Sequence, residues 1–319
     1  MGRFIVRRLI GMVFVLFLVS VLVFFIFNVI PNSDPAQRIA GKNATPQLVE
    51  NISKDWGFDK SLPVQYYEMM KKVLTGELVS YGSQLNVDEQ IIKGIPATFS
   101  LCIGAAVIWM AFGIWFGYLS AVRAGGFTDR GLTILALAGI SLPVFWLAAV
   151  LLYYFTYKIP IFPNGGYVPL QEDPVDWAYH LILPWTTLAV LFIGFYSRVL
   201  RSNMLDAMDE DYVRAARAKG LTEHRVRTRH VLRNSMIPIV TLFGLDFGAI
   251  IGGGAIIVES IFNLQGVGQY AADAIGNLDL PPIMGVTLFG AFFIVLFNTI
   301  VDIAYAYLDP RIRLGTSAA

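Results

Sequence analysis

Two carboxylates stand inside long apolar stretches of this chain: Asp246, within Gly244-Leu245-Asp246-Phe247-Gly248, and Asp302, within Ile300-Val301-Asp302-Ile303-Ala304. An acid at such a depth is costly, and it ordinarily faces a bundle interior or a water-filled route. Two readings of Asp246 stand side by side: it lines a pathway and faces the cationic end of a substrate, or it is a hydrogen-bonded packing residue. For Asp302 the expected partner is Arg311 or Arg313, near in sequence and near the membrane surface. Other chemistry is thin. His180, His224 and His230 have no metal-ligand spacing, and the single Cys102 cannot form an intrachain disulfide. There is no G-x-x-x-x-G-K-[ST], H-E-x-x-H, C-x-x-C or G-x-S-x-G pattern, so neither a phosphate-binding loop nor a catalytic nucleophile is indicated. The chain reads as a protein that is not an enzyme and binds no cofactor or metal itself.

The second feature is a polar, arginine-rich island: Asp211-Tyr212-Val213-Arg214-Ala215-Ala216-Arg217-Ala218-Lys219-Gly220, followed by His230-Val231-Leu232-Arg233-Asn234-Ser235-Met236-Ile237-Pro238. Its alanine run favours a helix, Gly220 is a natural stop, and Thr222 is placed to cap a second helix. Nine basic residues from Arg198 to Arg233 invite comparison with a nucleic-acid-binding helix pair. An island confined between two membrane segments cannot easily enter a groove of DNA, and no nucleic-acid partner is expected. A short helix pair presenting Ala215, Ala216 and Gly220 is better shaped for a groove on a protein, because small residues permit close approach.

The elements that position these groups are membrane spans. Of 319 residues, 56% are hydrophobic and 15% charged, and the mean hydropathy is +0.61; a soluble domain carries about 25% charged residues. Six apolar runs are long enough to cross a bilayer as helices: residues 9–30, 97–121, 132–157, 180–200, 236–258 and 283–308. Pro143 falls inside the third and is expected to be tolerated within a bundle. The first run begins with Arg3, Arg7 and Arg8 like a signal peptide, but it is too long and lacks a small-x-small cleavage site, so an uncleaved span is expected. With both termini inside, 16 basic residues fall on the cytosolic side and 8 outside. That bias predicts an N-in, C-in chain.

One transmembrane domain over residues 1–319 follows, with an outer loop at 31–96 and a cytosolic loop at 201–235. The outer loop is expected to be structured: a helix opens at Thr45-Pro46 and closes at Gly57, and an amphipathic helix over Val64–Leu74 ends near Gly76. Gly244-x-x-x-Gly248-x-x-x-Gly252 and Gly113-x-x-x-Gly117-x-x-x-Ala121 form flat stripes suited to tight helix packing. A path lined by the fifth helix, at Asp246, Gly248 and Gly252, is the secondary inference from the first stripe.

Ala215-Ala216-x-x-x-Gly220 followed by Ile237-Pro238 resembles the EAA loop of ABC-transporter permease subunits, with Arg214 in the place of the glutamate. The fuller pattern from Asp211 to Pro238 is similar to the dipeptide/oligopeptide branch. Phe162-Pro163-x-x-Gly166, Glu259-x-Ile261-Phe262 … Gly266-Val267-Gly268 and Leu308-Asp309-Pro310-Arg311-Ile312-Arg313 fall in the family's order. One departure is Gly76-Glu77-Leu78-Val79, where the family usually has Gly-Asp-Leu-Gly. The resemblance implies an all-α importer half in a prokaryotic plasma (inner) membrane. It implies a second, similar permease, two ATPases carrying ATP and Mg²⁺ on the cytosolic side, and a solute-binding protein outside. Tyr212, Arg214, Ala215, Ala216, Lys219, Gly220, His230, Asn234 and Pro238 would couple to an ATPase. Peptide is the leading substrate it implies, with nickel chelates, glutathione or sugars as alternatives. An ATP-independent facilitator or channel, the competing class, would place more polar residues along the spans and gives no reason for the island.

Overall fold

The computed structural model describes residues 2–26, 36 and 45–308. Arg38, Lys42, the outer end of the first run, and Asp309 to Arg313 lie outside the described residues. Helices account for nearly all regular structure: α1 Gly2–Phe24, α2 Pro46–Trp56, α3 Leu62–Thr75, α4 Val87–Val122 and α5 Phe127–Ser141 come first. They are followed by α6 Val144–Lys158, α7 Pro174–Met208 and α8 Asp211–Ala218. The series ends with α9 Glu223–Gly254, α10 Ile256–Ile261, α11 Val267–Gly276 and α12 Leu280–Leu308.

Five helices are individually long and apolar enough to span a membrane, and a sixth span is counted if α5 and α6 are taken together. The expected third span is broken. α5 and α6 meet at 98° across Leu142-Pro143. Proline cannot donate a backbone N–H and pushes the preceding residue out of the helical region, and Leu142 is indeed extended at φ −80°, ψ 127°. The fifth span also ends earlier than expected. α9 stops at Gly254 rather than running to residue 258, because Gly253 takes φ +146°, a conformation closed to most side chains.

Close helix contacts follow the glycine stripes. A Cβ at Gly113 would lie 2.9 Å from Tyr196 Cβ, and one at Gly117 would lie 2.8 Å from the Ser197 carbonyl oxygen, so α4 and α7 pack backbone to backbone. On α9, added Cβ atoms at Gly244, Gly248 and Gly252 would meet Val301, Phe297 and Ile294 of α12 at 2.0, 2.8 and 2.8 Å. α1 lies along α12. There Arg8 Nη1 reaches Asp302 Oδ2 at 2.9 Å. Arg8, far away in sequence, is thus a partner of Asp302; the expected partners Arg311 and Arg313 lie outside the described residues.

The segment between α1 and α4 is ordered where described. α3 ends at Gly76, whose φ of +73° supplies the left-handed C-cap. Gly57, φ +72°, follows α2 directly, as the sequence predicts. The turn after Gly76 is clamped to the far end of the chain. Asp279, just before α12, accepts hydrogen bonds from Ser80 Oγ and from the backbone N–H groups of Tyr81 (3.0 Å) and Gly82 (3.2 Å). Burial, with Asp279 nearby, pushes the Tyr81 hydroxyl well above its ordinary range and that of Tyr270 up to about 12. Both phenols are therefore neutral at physiological pH.

Candidate functional site

The basic island folds onto the ends of two spans. α7 stops at Met208, Glu210 stands before α8, and Gly220, φ +79°, turns the chain back. An L-residue with a Cβ is disfavoured in that conformation, although the space around Gly220 is open. Arg217 Nε and Arg227 Nε both reach the Glu223 carboxylate, at 2.8 and 3.4 Å, and draw the two sides of the turn together. These pairs are exposed and worth little individually. Burial is the larger force: Val213 is 0% and Ala216 6% exposed, and they lie in the same apolar cluster as Met204, Val226 and Val231.

Two faces of α8 result. Val213 and Ala216 root the helix in its own protein, while Tyr212, Arg214, Ala215 and Lys219 are exposed. Ala216 is therefore not on the presented face with Ala215, contrary to the expectation that both lie there: a helix turns 100° per residue, and adjacent positions cannot share a narrow face. The second helix of the island also differs from expectation. It is no separate unit; Glu223 opens α9, which runs through wide π turns at Val226–Leu232 into the span. Thr222 occupies the cap position in an extended conformation, but its side chain makes no capping bond. His230 and Asn234 line an open cleft of about 510 Å³ with Arg229, Arg233 and Ile237, and no α8 residue lines it. Pro238 sits inside α9, so the Asn234 carbonyl has no helical N–H to accept, which weakens the helix where the π turns give way to the span.

Mid-span, Asp246 points away from the glycine stripe. Its Oδ2 accepts the Tyr196 hydroxyl of α7 at 2.7 Å. Tyr196 is held in an aromatic cluster with Trp109, Phe192 and Phe243, with ring centroids 4.7 Å apart for Trp109–Phe192 and 6.0 Å for Trp109–Phe243. The Trp109 indole N–H is buried with no hydrogen-bond partner among the described residues. Asp246 itself is only partly buried, and its other oxygen accepts no hydrogen bond among the described residues. Gly248 and Gly252 face α12 instead, so their surface is taken up by helix packing. They are not grouped with Asp246 on an open face.

Two further carboxylates were not expected at a site from the sequence. Asp129, at the start of α5, receives Arg201 Nε and Nη2 of α7 at 2.7 and 2.8 Å, along with Ser120 Oγ and the Gly125 N–H. Glu259 of α10 is fully buried, accepting Thr98 Oγ1 at 2.7 Å and the Gln269 N–H at 3.0 Å. Gly266 and Gly268 leave room for it; Cβ atoms there would sit 2.2 and 3.0 Å from its Oε2. A glutamate followed by closely spaced glycines was the available signal. For Asp129 there was none, since its partner lies 72 positions away.

A bundle of helices long and apolar enough to span a membrane, one pair of them bent by 98°, with a polar helix rooted at one end, has the make-up of a multi-pass membrane protein. Residues 113–314 match the model of the binding-protein-dependent transport system inner membrane component, and residues 1–102 match that of the N-terminal part of such components. The chain belongs to this family, and it is a multi-pass inner membrane protein. It is 37% identical over 314 residues to "Probable peptide ABC transporter permease protein y4tP" of Sinorhizobium fredii, covering 98% of this chain and 100% of that one. It is 36% identical to the glutathione transport system permease GsiC of Pectobacterium atrosepticum, covering 98% and 99%. It is also 35% identical to "Probable D,D-dipeptide transport system permease protein DdpB" of Escherichia coli K12, covering 97% of each.

Proposed function

We propose that this chain forms half of the translocation path of an ATP-driven peptide importer, with α8 as the element that receives motion from an ATPase. The observation that carries this reading is the two-faced α8. Its exposed side offers Tyr212, Arg214, Ala215 and Lys219, while Val213 and Ala216 tie it to the root of α9, which carries Asp246. A push on α8 would pass through this packed contact into α9 and be absorbed at the weakened turn around Asn234 and Pro238. The relatives named for peptide, dipeptide and glutathione transport support a substrate with a peptide backbone. The partners proposed are a second permease of the same family, two cytosolic ATPases that bind ATP and Mg²⁺, and an external solute-binding protein. In this reading six spans, with the α5–α6 pair as the third, place both termini and the island in the cytosol.

Within the path, Tyr196 fixes one oxygen of Asp246 and leaves the other to meet the ammonium group of a peptide. The test of the coupling is Gly220→Trp in the assembled transporter. The positive φ acts against any side chain at the turn, and the bulk, which meets nothing in this chain, would stand against a docked ATPase, so insertion should persist while substrate-stimulated ATP hydrolysis is lost. Full stimulation would remove α8 from the mechanism.

A further inference from the structure

Along the seam between α5 and α7, near the basic end of the bundle, runs a cleft of about 540 Å³ lined by Thr133, Ile140, Phe195, Arg198, Val199, Arg201 and Ser202. Its lining is graded. Thr133, Arg198, Arg201 and Ser202 cluster at the outer end, where the apolar part of α7 gives way to polar residues. Ile140 lies two helical turns deeper on α5 than Thr133, about 10 Å along the axis, and Phe195 lies on the apolar side of Arg198. The polar end is net cationic. Arg201 spends Nε and Nη2 on Asp129, which cancels one charge with the other. Arg198 is exposed and has no acidic partner among the described residues. Asp206, a turn further out on α7, does not line the cleft.

The walls are fixed. A Cβ at Gly194 would lie 2.5 Å from the Ala136 carbonyl oxygen, so the two helices touch directly along the seam, and the Asp129–Arg201 pair fastens them again at its basic end. A cationic, hydroxyl-bearing rim at the membrane surface above an apolar floor matches one kind of molecule: a phosphate head group attached to acyl chains. We propose that this cleft binds an anionic diacyl phospholipid, its phosphate at Arg198, Thr133 and Ser202 and a chain along Phe195 and Ile140. A free phosphate would leave the apolar floor uncovered, which is why the lipid is the occupant the shape selects. The inference requires only that the helices lie in a membrane and is independent of which way the chain is oriented.

The test uses the full chain in nanodiscs of mixed phosphatidylcholine and phosphatidylglycerol, with a spin label on one lipid at a time, and measures the motionally restricted fraction of each. The native protein should restrict phosphatidylglycerol preferentially. Arg198→Gln should reduce that preference about fivefold, the worth of one arginine near an anionic surface. Arg225→Gln, which removes an exposed charge outside the cleft, should leave it unchanged. Ile140→Trp, which fills the floor without altering charge, should also reduce it. Equal restriction of both lipids by the native protein, or an equal loss in Arg225→Gln, would overturn the proposal. So would displacement of the lipid by glycerophosphate, or its loss once a second permease subunit is assembled onto the chain.

Discussion

Replacing Asp246 by Asn removes a charge and little else. The amide keeps the size of the side chain, and its oxygen can still accept the Tyr196 hydroxyl now 2.7 Å from Oδ2. Two unit charges about 4 Å apart interact by about 4 kcal/mol where the effective dielectric constant is about 20. Asp246 is only partly buried, so water screening and the cost of stripping water from the incoming ammonium remove much of this. A remainder of about 1.4 kcal/mol corresponds to a tenfold effect. In proteoliposomes containing the complete transporter, uptake of a dipeptide with a free amino terminus should therefore fall about tenfold in Asp246→Asn. The yield of assembled complex should not change, and uptake of any N-acetylated analogue that is transported should be insensitive to the substitution. Tyr196→Phe makes the complementary perturbation: the charge remains but loses its donor, costing about 1.5–3 kcal/mol in stability. Because the two groups touch, the double variant should lose less stability than the sum of the single ones. Normal uptake of the free dipeptide by the Asn variant would refute a charge-dependent role and leave Asp246 as a packing residue.

One further outcome is set by the packing geometry and another by the charge bias of the sequence. Gly248→Leu places a side chain where a Cβ already comes within 2.8 Å of Phe297 Cβ; overpacking of this kind costs about 1–3 kcal/mol, seen as a lower melting temperature in detergent, and an unchanged temperature would deny that α9 and α12 meet at this stripe. For orientation, Lys60→Cys should react with a membrane-impermeant maleimide in intact cells and Glu223→Cys should not, whereas equal labelling would reject the proposed N-in arrangement.

The apolar runs were legible because span length and helix rise fix each other, and the short helices closed by Gly57 and Gly76 were legible because left-handed caps favour glycine. The bend at Pro143 was not. Apolar composition alone cannot say whether neighbouring helices will hold a proline-broken segment straight, and here α5 and α6 part at 98°. Pairings between distant segments were equally hidden. The pairing of Asp302 with Arg8 comes from the packing of α1 on α12. Asp129 with Arg201, and Asp279 with the Ser80 turn, depend on the bundle being assembled. At the candidate site the island was visible as a basic interruption between apolar runs. Which of its residues point outward depended on the rotation of α8 over its own core, and that separated Ala215 from Ala216.

That separation provides the most direct test of α8 as the ATPase-contacting helix. In the assembled transporter, a cysteine at Ala215 should crosslink to an introduced cysteine in the ATPase groove, with a yield that changes when ATP binds. A cysteine at Ala216, buried to 6% exposure against its own chain, should remain unreacted. Crosslinking at both positions alike, or none at Ala215 in any nucleotide state, would contradict the account.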